Sequence, residues 1–220
     1  MTTSLHFSII STFPETMRPY TDASMLGRAQ EKKLITVSYF NPRDFATDKH
    51  HKTDDIPYGG GPGMVMKAEP ILRAVAAATK KRQGKKTKVI VFSPQGKQFT
   101  NAYAQTLSKK YNHVVLIAGR YEGIDARVKK ILRAEEVSVG PYVLTGGEVP
   151  ALIVVDSVAR QLPGVLGKSE SLEETRTAAR DVYTRPETLP WKGKRYAVPK
   201  VLRSGDHAEI DKWRKKTRKG

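Results

Sequence analysis

Residues 88–119, KVIVFSPQGKQFTNAYAQTLSKKYNHVVLIAG, decide the fold class of this 220-residue chain. The apolar runs KVIVFS and HVVLIAG are short and rich in valine and isoleucine, which is typical of buried strands. Between them, AYAQTLSKKY has the apolar spacing of a helix packed on one face. This alternation of strand and helix predicts an α/β fold with a buried, mostly parallel sheet.

The same alternation continues on both sides of this stretch. LHFSII (5–10) and LITVSYF (34–40) are predicted strands, and EPILRAVAAATKK (69–81) is a predicted helix. Residues 148–160 carry apolar side chains on most sides, which indicates a largely buried helix that Leu-Pro-Gly at 162–164 ends. We therefore predict a first domain over residues 1–166.

The chain changes character after this domain. Residues 167–184 are polar and lack a sustained apolar period, so they are predicted to form a linker that contributes to the active site. Residues 185–220 are predicted to form a small helical domain, with a helix over 206–219 that ends in a dense basic run. Asp181 and Glu174 are the linker carboxylates considered below.

Composition limits the classes of partner and of chemistry. The 39 Lys and Arg residues exceed the 22 Asp and Glu residues, giving a net charge of +17, which favours a polyanionic partner such as nucleic acid. A merely solvated basic surface is the alternative. The chain has no cysteine, which excludes disulfides and thiolate chemistry. No apolar run is long enough to cross a bilayer and no secretory signal is apparent, so we expect a cytoplasmic protein without membrane association.

Several familiar sites are excluded by their missing motifs. The loop YGGGPGM (58–64) lacks the Gly-Lys-Ser/Thr ending of a phosphate-binding P-loop. No Gly-x-Gly-x-x-Gly follows a strand, no Gly-x-Ser-x-Gly is present, and no two histidines have the i, i+4 spacing of a zinc protease. An ordinary dinucleotide site, a serine hydrolase and a zinc site are therefore not expected.

Taken in order, the glycine-rich loops identify a family. Each loop alone could be a tight turn, because glycine permits positive φ and close backbone approach. Together the chain resembles the bacterial tRNA (guanine-N1)-methyltransferases of the TrmD family, through the motifs FNPRDF (40–45), KTDD (52–55), YGGGPGM (58–64), SPQG (93–96), AGRYEGID (118–125) and VGPYVLTGGE (139–148). The likeness continues through YTRPE (183–187), SGDH (204–207) and KWR (212–214), and so spans nearly the whole chain.

The resemblance implies a fold, a reaction and an assembly. The fold is the trefoil-knotted SPOUT methyltransferase domain with a mostly parallel sheet, followed by a small helical C-terminal domain that binds tRNA. The reaction moves a methyl group from S-adenosylmethionine to N1 of the guanosine immediately 3′ of the anticodon, at position 37. Family members are homodimers, in which the linker and C-terminal domain of one subunit complete the cofactor pocket of the other. Magnesium is implied by the family alone.

The resemblance also assigns cofactor residues, position by position. Backbone groups of three loops would read the adenine edge, and apolar side chains would enclose its ring. Tyr142 and Leu144 would shape the bent cofactor, and the carboxylate of Glu122 would balance the positive sulfonium. The full set is Ser93, Pro94, Gly96, Gly119, Tyr121, Glu122, Val139, Gly140, Pro141, Tyr142, Val143, Leu144, Gly146, Gly147 and Pro150.

Methylation of guanine N1 requires a base and a cation. The base must remove the N1 proton, and a cation near O6 stabilises the negative charge that then develops. The resemblance gives the second role to Arg160, for which a helix-terminal arginine favoured by the macrodipole is the alternative. The family's catalytic aspartate follows a Glu-Glu pair, but here Thr175 stands at that position.

Three interpretations of the base remain open at this stage. Asp181 could supply the carboxylate from a realigned and shorter linker, Glu174 could supply it with its longer side chain, or catalysis could be weakened while binding remains. Among other residues, Asp54, Asp55, Arg185, Lys212 and Arg214 are candidates for contact with tRNA. The rival functions are a tRNA-binding homologue without activity and a knotted methyltransferase that acts on another RNA site.

Overall fold

The computed structural model describes residues 4–80, 82, 84–166 and 181–218. Glu174 and Thr175 lie outside the described residues. The chain divides after Gly167 into two compact units. The first contains the sheet and most of the helices, and the second contains the C-terminal elements.

A five-stranded sheet forms the centre of the first unit, and all of its neighbouring strands are parallel. In chain order its strands are β1 (Leu5–Ile10), β2 (Ile35–Phe40), β5 (Thr87–Gln98), β6 (His113–Ile117) and β7 (Glu135–Ser138). They lie in the order β2-β1-β6-β5-β7. The central strands β1 and β6 are buried along their whole length, as expected of parallel strands covered on both faces. The predicted strands and the parallel α/β fold are therefore confirmed.

Helices cover both faces of this sheet. They are α1 (Arg18–Thr21), α2 (Ser24–Glu31), α3 (Ala68–Lys80), α4 (Asn101–Lys110), α5 (Ala126–Leu132) and α6 (Glu148–Ala159). The alternation of side chains along β6 shows the two layers, since Val114 and Leu116 pack with α2, α4 and α6, whereas Val115 and Ile117 pack with α3 and α5. The predicted helices over 69–81 and 148–160 are confirmed to within a residue at each end.

Helix α6 is unusual because it is apolar on nearly all sides. One side packs into the core through Ala151, Val154, Val155 and Val158. On another side Val149 is 54% exposed, and Ile153 is only partly buried. A helix that is apolar all round is normally covered all round.

No helix in the described ranges has the length and apolar character needed to cross a membrane.

Two short strands flank the glycine-rich loop 58–64 and connect it to the segment that follows β6. Strand β3 (Asp54–Asp55) pairs antiparallel with β4 (Val65–Met66), and Met66 forms a parallel bridge with Ile124. Backbone hydrogen bonds from Met66 N to Gly123 O and from Asp125 N to Met66 O fix this connection at 2.9 and 3.0 Å. The glycine loop at 58–64 is thereby held beside the segment that follows β6.

The amino edge of the sheet contains two buried histidines. His6 and His113 have ring centroids 5.3 Å apart. Nη2 of Arg82 donates to Nδ1 of His6 at 2.7 Å, and Ser8 Oγ lies 2.8 Å from Nε2 of His113. Burial, reinforced by the Arg82 charge, lowers the pKa of His6 to about 3 and that of His113 to about 4. Both rings are therefore neutral near pH 7. They lie at the amino edge of the sheet, opposite the carboxyl edge where the segments after β6 and β7 begin.

The second unit has more strand than the sequence predicts. A hairpin of β8 (Thr188–Trp191) and β9 (Lys194–Ala197) precedes helix α7 (His207–Arg218). Lys192 and Gly193 form the two-residue turn, with φ of 48° and 75°, as a tight hairpin requires. Tyr183 packs near Trp213 with ring centroids 6.4 Å apart, and Arg203 pairs with Glu187. The predicted helix over 206–219 is confirmed, whereas the hairpin was not foreseen.

Candidate cofactor and substrate site

A cavity of about 440 Å³ opens at the carboxyl edge of the sheet, where β5, β6 and β7 end. The carboxyl edge is where open parallel sheets bind ligands, because the loops that follow neighbouring strands diverge there. Its volume is within the range of small-molecule sites. Val91 and Val137 from the strands and Pro150 from α6 contribute apolar surface, and three loops form the walls.

The first wall comes from an irregularity in β5. Phe92 and Lys97 both pair with Val137, so residues 93–96 leave the ladder and bulge outward. Ser93 and Pro94 in this bulge line the cavity. Gly96 instead lies where the bulge returns to β7, and a Cβ there would be 2.5 Å from the Val137 nitrogen. Gly96 therefore allows the bulge to form without lining the cavity itself.

The second wall is the segment 119–123, which follows β6. Tyr121 adopts a left-handed backbone with φ of 60°, which turns the chain sharply. Glu122 lines the cavity and also lies against the 58–64 loop, since a Cβ on Gly63 would be 2.7 Å from its Cγ. Its backbone nitrogen donates to Met64 O at 3.0 Å. The loop 58–64 therefore supports the rim of the cavity at Glu122.

The third wall is the segment 139–147 between β7 and α6. Ser138 closes its first turn, because its hydroxyl donates to Gly140 O at 2.9 Å and accepts from Gly140 N at 3.3 Å. The Tyr142 ring lies directly over Gly140, where a Cβ would come within 2.2 Å of the ring. At its end, Gly147 N donates to Gly119 O at 2.8 Å and joins this wall to the second.

The structure brings nearly all predicted cofactor residues to this one cavity. Gly96 and Pro141 are the two that do not line it. Those that do are Ser93, Pro94, Gly119, Tyr121, Glu122, Val139, Gly140, Tyr142, Val143, Leu144, Gly146, Gly147 and Pro150. Arg120 also lines the cavity, inside a recognised motif but without an assigned role, and the strand residues Val91 and Val137 were not foreseen.

Of the remaining predicted residues, Arg160, Asp54 and Asp55 belong to the first unit and do not line the cavity. Arg160 follows the last residue of α6, about 15 Å along the helix from Pro150, and does not line the cavity. Asp54 and Asp55 are in β3, whose partner β4 adjoins the segment after β6. Asp181 is exposed at the start of the described part of the second unit, and Glu174 is outside the described residues.

The basic candidates in the second unit are exposed and partly paired along α7. Lys212 Nζ lies 2.8 Å from Glu209, and Arg214 Nη1 lies 3.2 Å from Asp211. The Glu209 carboxylate raises the pKa of Lys212, so the amine is charged at neutral pH. Arg185 is exposed in the segment before the hairpin. These pairs are weak at an exposed surface, so the cations can exchange carboxylate for phosphate.

The fold and the cavity together define the class of this protein, which is a parallel α/β protein with a small-molecule site at the carboxyl edge of its sheet. The family model described as tRNA (Guanine-1)-methyltransferase TrmD matches residues 5–220, and the chain belongs to this family. Its relatives include proteins named tRNA (guanine-N(1)-)-methyltransferase. That of Carboxydothermus hydrogenoformans is 46% identical over 96% of this chain and 82% of its own length. That of Pseudoalteromonas atlantica is 49% identical over 96% and 78%, and that of Dictyoglomus turgidum is 46% identical over 96% and 84%.

Proposed function

We propose that this chain transfers a methyl group from S-adenosylmethionine to N1 of the guanosine immediately 3′ of the anticodon, at position 37 of tRNA. The observation that carries the proposal is the cavity, because the loops that identify the family meet there in three dimensions. Its volume suits one nucleoside-sized ligand, and its walls combine apolar side chains with accessible backbone groups. Bound in it, S-adenosylmethionine supplies an electrophilic methyl group on a positively charged sulfur.

The residues of the cavity suit this ligand. Backbone N–H and C=O groups of 139–147 can read the adenine edge, because this segment lines the cavity and its glycines at 140, 146 and 147 let the backbone pack closely against neighbouring protein atoms. Tyr142 and Leu144 provide ring and aliphatic surface at the entrance. The carboxylate of Glu122 would lie near the sulfonium and balance its charge.

The described side chains form no dedicated protein cage for magnesium, which is implied by the family alone. Within the described residues, no three His, Asp or Glu side chains converge as metal ligands. Magnesium usually keeps several of its waters in near-octahedral geometry and is held through only one or two carboxylates. We therefore assign no step of the reaction to a metal held by the chain.

Replacing Gly147 by alanine tests the cofactor site. A Cβ at this position would lie 2.5 Å from Ala118 Cα and 2.8 Å from Gly119 N, so one backbone must move away from the other. The hydrogen bond between Gly147 N and Gly119 O would then be lost. We expect the dissociation constant for S-adenosylmethionine, measured by calorimetry, to rise by about tenfold or more.

Gly119→Ala is the matched control. Its Cβ would meet only the Ile124 side chain, at 3.1 Å, and a side chain can move more easily than backbone. We expect a clearly smaller loss of affinity for this variant. Equal affinities for wild type and Gly147→Ala would show that the two walls are not required for cofactor binding.

The chain's own residues must manage a proton and a developing charge. The N1 proton passes to a carboxylate, N1 forms the new bond to the methyl carbon, and the carbon–sulfur bond breaks with its electrons left on sulfur. We assign the base to Asp181, and Glu174 is the alternative. Arg160 would face O6 and stabilise its negative charge in the transition state.

The position of Arg160 supports the proposal of a homodimer. Eleven residues separate Val149 from Arg160, so the two lie within about 20° of each other around the helix axis. The stripe of α6 that carries Val149, Ile153 and Asp156 leads to Arg160, while the cavity of the same chain lies at the opposite end of the helix. A second copy packed on this stripe would cover Val149 and could bring its own Arg160 to the cavity.

We also retain the finer architecture as a proposal. Residues 1–166 would be the knotted S-adenosylmethionine-binding domain, 167–184 the linker that enters the active site, and 185–220 the tRNA-binding domain. The hydrogen bond between the segments 119–123 and 139–147 supports close passage of these two segments, which the trefoil knot requires. The basic character of the last segment supports an RNA partner.

The contribution of the second unit to tRNA binding is testable through salt dependence. Lys212→Gln and Arg214→Gln should each reduce the slope of log affinity against log salt by about one, because each would remove a phosphate contact. Lys109→Gln makes the same change of charge at the end of α4, near the amino edge of the sheet and away from the cavity. Identical slopes for all three variants and wild type would contradict a tRNA footprint on α7.

The reaction itself is tested by methyl transfer to a tRNA transcript that carries guanosine after the anticodon. We expect 1-methylguanosine in the digested product, identified by mass spectrometry, and no product from a transcript with adenosine at that position. A different methylated nucleoside would support the rival RNA site. Tight tRNA binding without transfer in a single-turnover assay would support the rival binding protein.

A further inference from the structure

A buried carboxylate lies next to residues that line the cavity but does not line it itself. Glu148 is the first residue of α6 and is only 5% exposed, yet it does not line the cavity. A charge removed from water is unfavourable unless it is paired and hydrogen-bonded. The N-terminus of α6 favours a negative charge, but it does not explain why the carboxylate points inward. Its partners provide the explanation.

Each oxygen of Glu148 has a separate partner. Ser11 Oγ donates to Oε1 at 2.8 Å, and the Nε atom of Arg120 lies 3.0 Å from Oε2. The second contact is an ion pair whose N–H is not aligned as a hydrogen bond. Ser11 also accepts from the backbone nitrogen of Phe13 at 3.0 Å, which fixes the chain just beyond β1.

Arg120 connects this buried group to the cavity. It lines the cavity within the segment 119–123. Its guanidinium lies over the Phe13 ring, with Cζ 4.7 Å from the ring centroid, and its Nη1 lies 3.5 Å from Thr145 O in the opposite wall. One side chain therefore contacts the chain just beyond β1, the start of α6 and the third wall.

The space around this contact is tightly filled. A Cβ on Gly146 would lie 2.5 Å from Glu148 Oε2 and 2.6 Å from Arg120 Nε. The third wall therefore passes directly over the ion pair, one residue before Gly147 bonds to Gly119. A shift of Arg120 cannot be absorbed here without a shift of the wall.

We propose that Glu148 and Ser11 are positioning residues, which act through Arg120 to set the separation of the two walls and thereby the affinity for the cofactor. They contact neither the methyl donor nor the tRNA. This inference rests on the proposed function, because it takes the cavity to be the S-adenosylmethionine site. Under this inference Glu148 and Ser11 control the affinity for the cofactor, and they take no part in the acid–base chemistry.

The test is Glu148→Gln in the full-length protein, with S-adenosylmethionine as the probe. Glutamine keeps the volume but removes the charge that holds Arg120. We expect the dissociation constant and the KM for S-adenosylmethionine to rise about tenfold, while kcat at saturating cofactor and the KM for tRNA stay within about twofold. Ser11→Ala should change the same two constants by a smaller factor, and it keeps the test valid if the glutamine variant does not fold.

Glu135→Gln is the matched control for a loss of stability alone. Glu135 is also partly buried and paired, with Lys88 and the Tyr103 hydroxyl, but it does not line the cavity or contact the ion pair. We expect this variant to unfold at a lower temperature and to bind S-adenosylmethionine as wild type does. A merely structural role for Glu148 would give the same result, and that result would overturn the inference.

Coupling to Arg120 completes the test. If Glu148 acts through Arg120, the double variant Arg120→Gln/Glu148→Gln should bind the cofactor no more weakly than Arg120→Gln alone. Fully additive losses would overturn the inference. Failure of the wild-type protein to bind S-adenosylmethionine would instead overturn the proposed function, so the two failures are distinguishable.

Discussion

Asp181→Asn is expected to lower the single-turnover rate of methyl transfer by about 10²- to 10⁴-fold, the usual contribution of a positioned general base. Asparagine has nearly the same shape as aspartate but cannot accept the N1 proton. The residual rate should increase with pH, because hydroxide then has to remove the proton. Affinities for S-adenosylmethionine and for tRNA should change little, since the carboxylate is needed for the proton alone.

Glu174→Gln makes the corresponding change at the other linker carboxylate. We expect it to keep the wild-type rate, which would assign the base to Asp181. The reverse pattern would assign the base to Glu174. Full rates for both variants would show that neither carboxylate removes the proton.

Arg160→Ala is expected to lower kcat by about 10²- to 10³-fold, as removal of one donor to a developing oxyanion does. Arg160→Lys keeps the charge but not the planar pair of donors, so we expect an intermediate rate. The thermal unfolding midpoint should change little for both variants. A large loss of stability with unchanged kcat would instead assign Arg160 to the end of α6 alone.

Mixing the Gly147→Ala and Arg160→Ala variants would locate Arg160 within the proposed dimer. If the cavity and Arg160 of one site come from different subunits, a heterodimer of Gly147→Ala and Arg160→Ala has one site with both residues intact. After random exchange of subunits, about one site in four should regain wild-type behaviour at limiting cofactor. No recovery would place both residues of a site in the same subunit.

The sequence predicted the central strands better than the edges. β1 and β6 are covered on both faces, so their residues had to be apolar throughout and were easy to recognise. β7 was missed because Glu135 and Glu136 begin it, and their carboxylates lie beside Lys88 and Lys129 rather than in the core. The β8–β9 hairpin was missed because it packs little of its surface and so carries no apolar alternation.

The residues that line the candidate site were predicted from the family motifs. The contacts that link these residues to the rest of the fold were not predicted. Family motifs gave the lining residues because they occur in continuous loops. The link from Ser11 through Glu148 to Arg120 joins positions 137 and 28 residues apart in sequence, and no local pattern reports such a contact. The distance of Arg160 from its own cavity likewise depends on the direction of α6, which only the folded chain reveals.

Glycine supplies five of the residues that line the cavity, namely Gly119, Gly123, Gly140, Gly146 and Gly147. A wall made of main chain has no side chain to exchange, so a point mutation can alter it only by adding atoms. At Gly140, Gly146 and Gly147 that space is already filled by the protein itself. An inhibitor that binds these backbone groups in place of the adenine would therefore leave the enzyme few routes to resistance, because a substitution that excludes the drug would also exclude the natural cofactor.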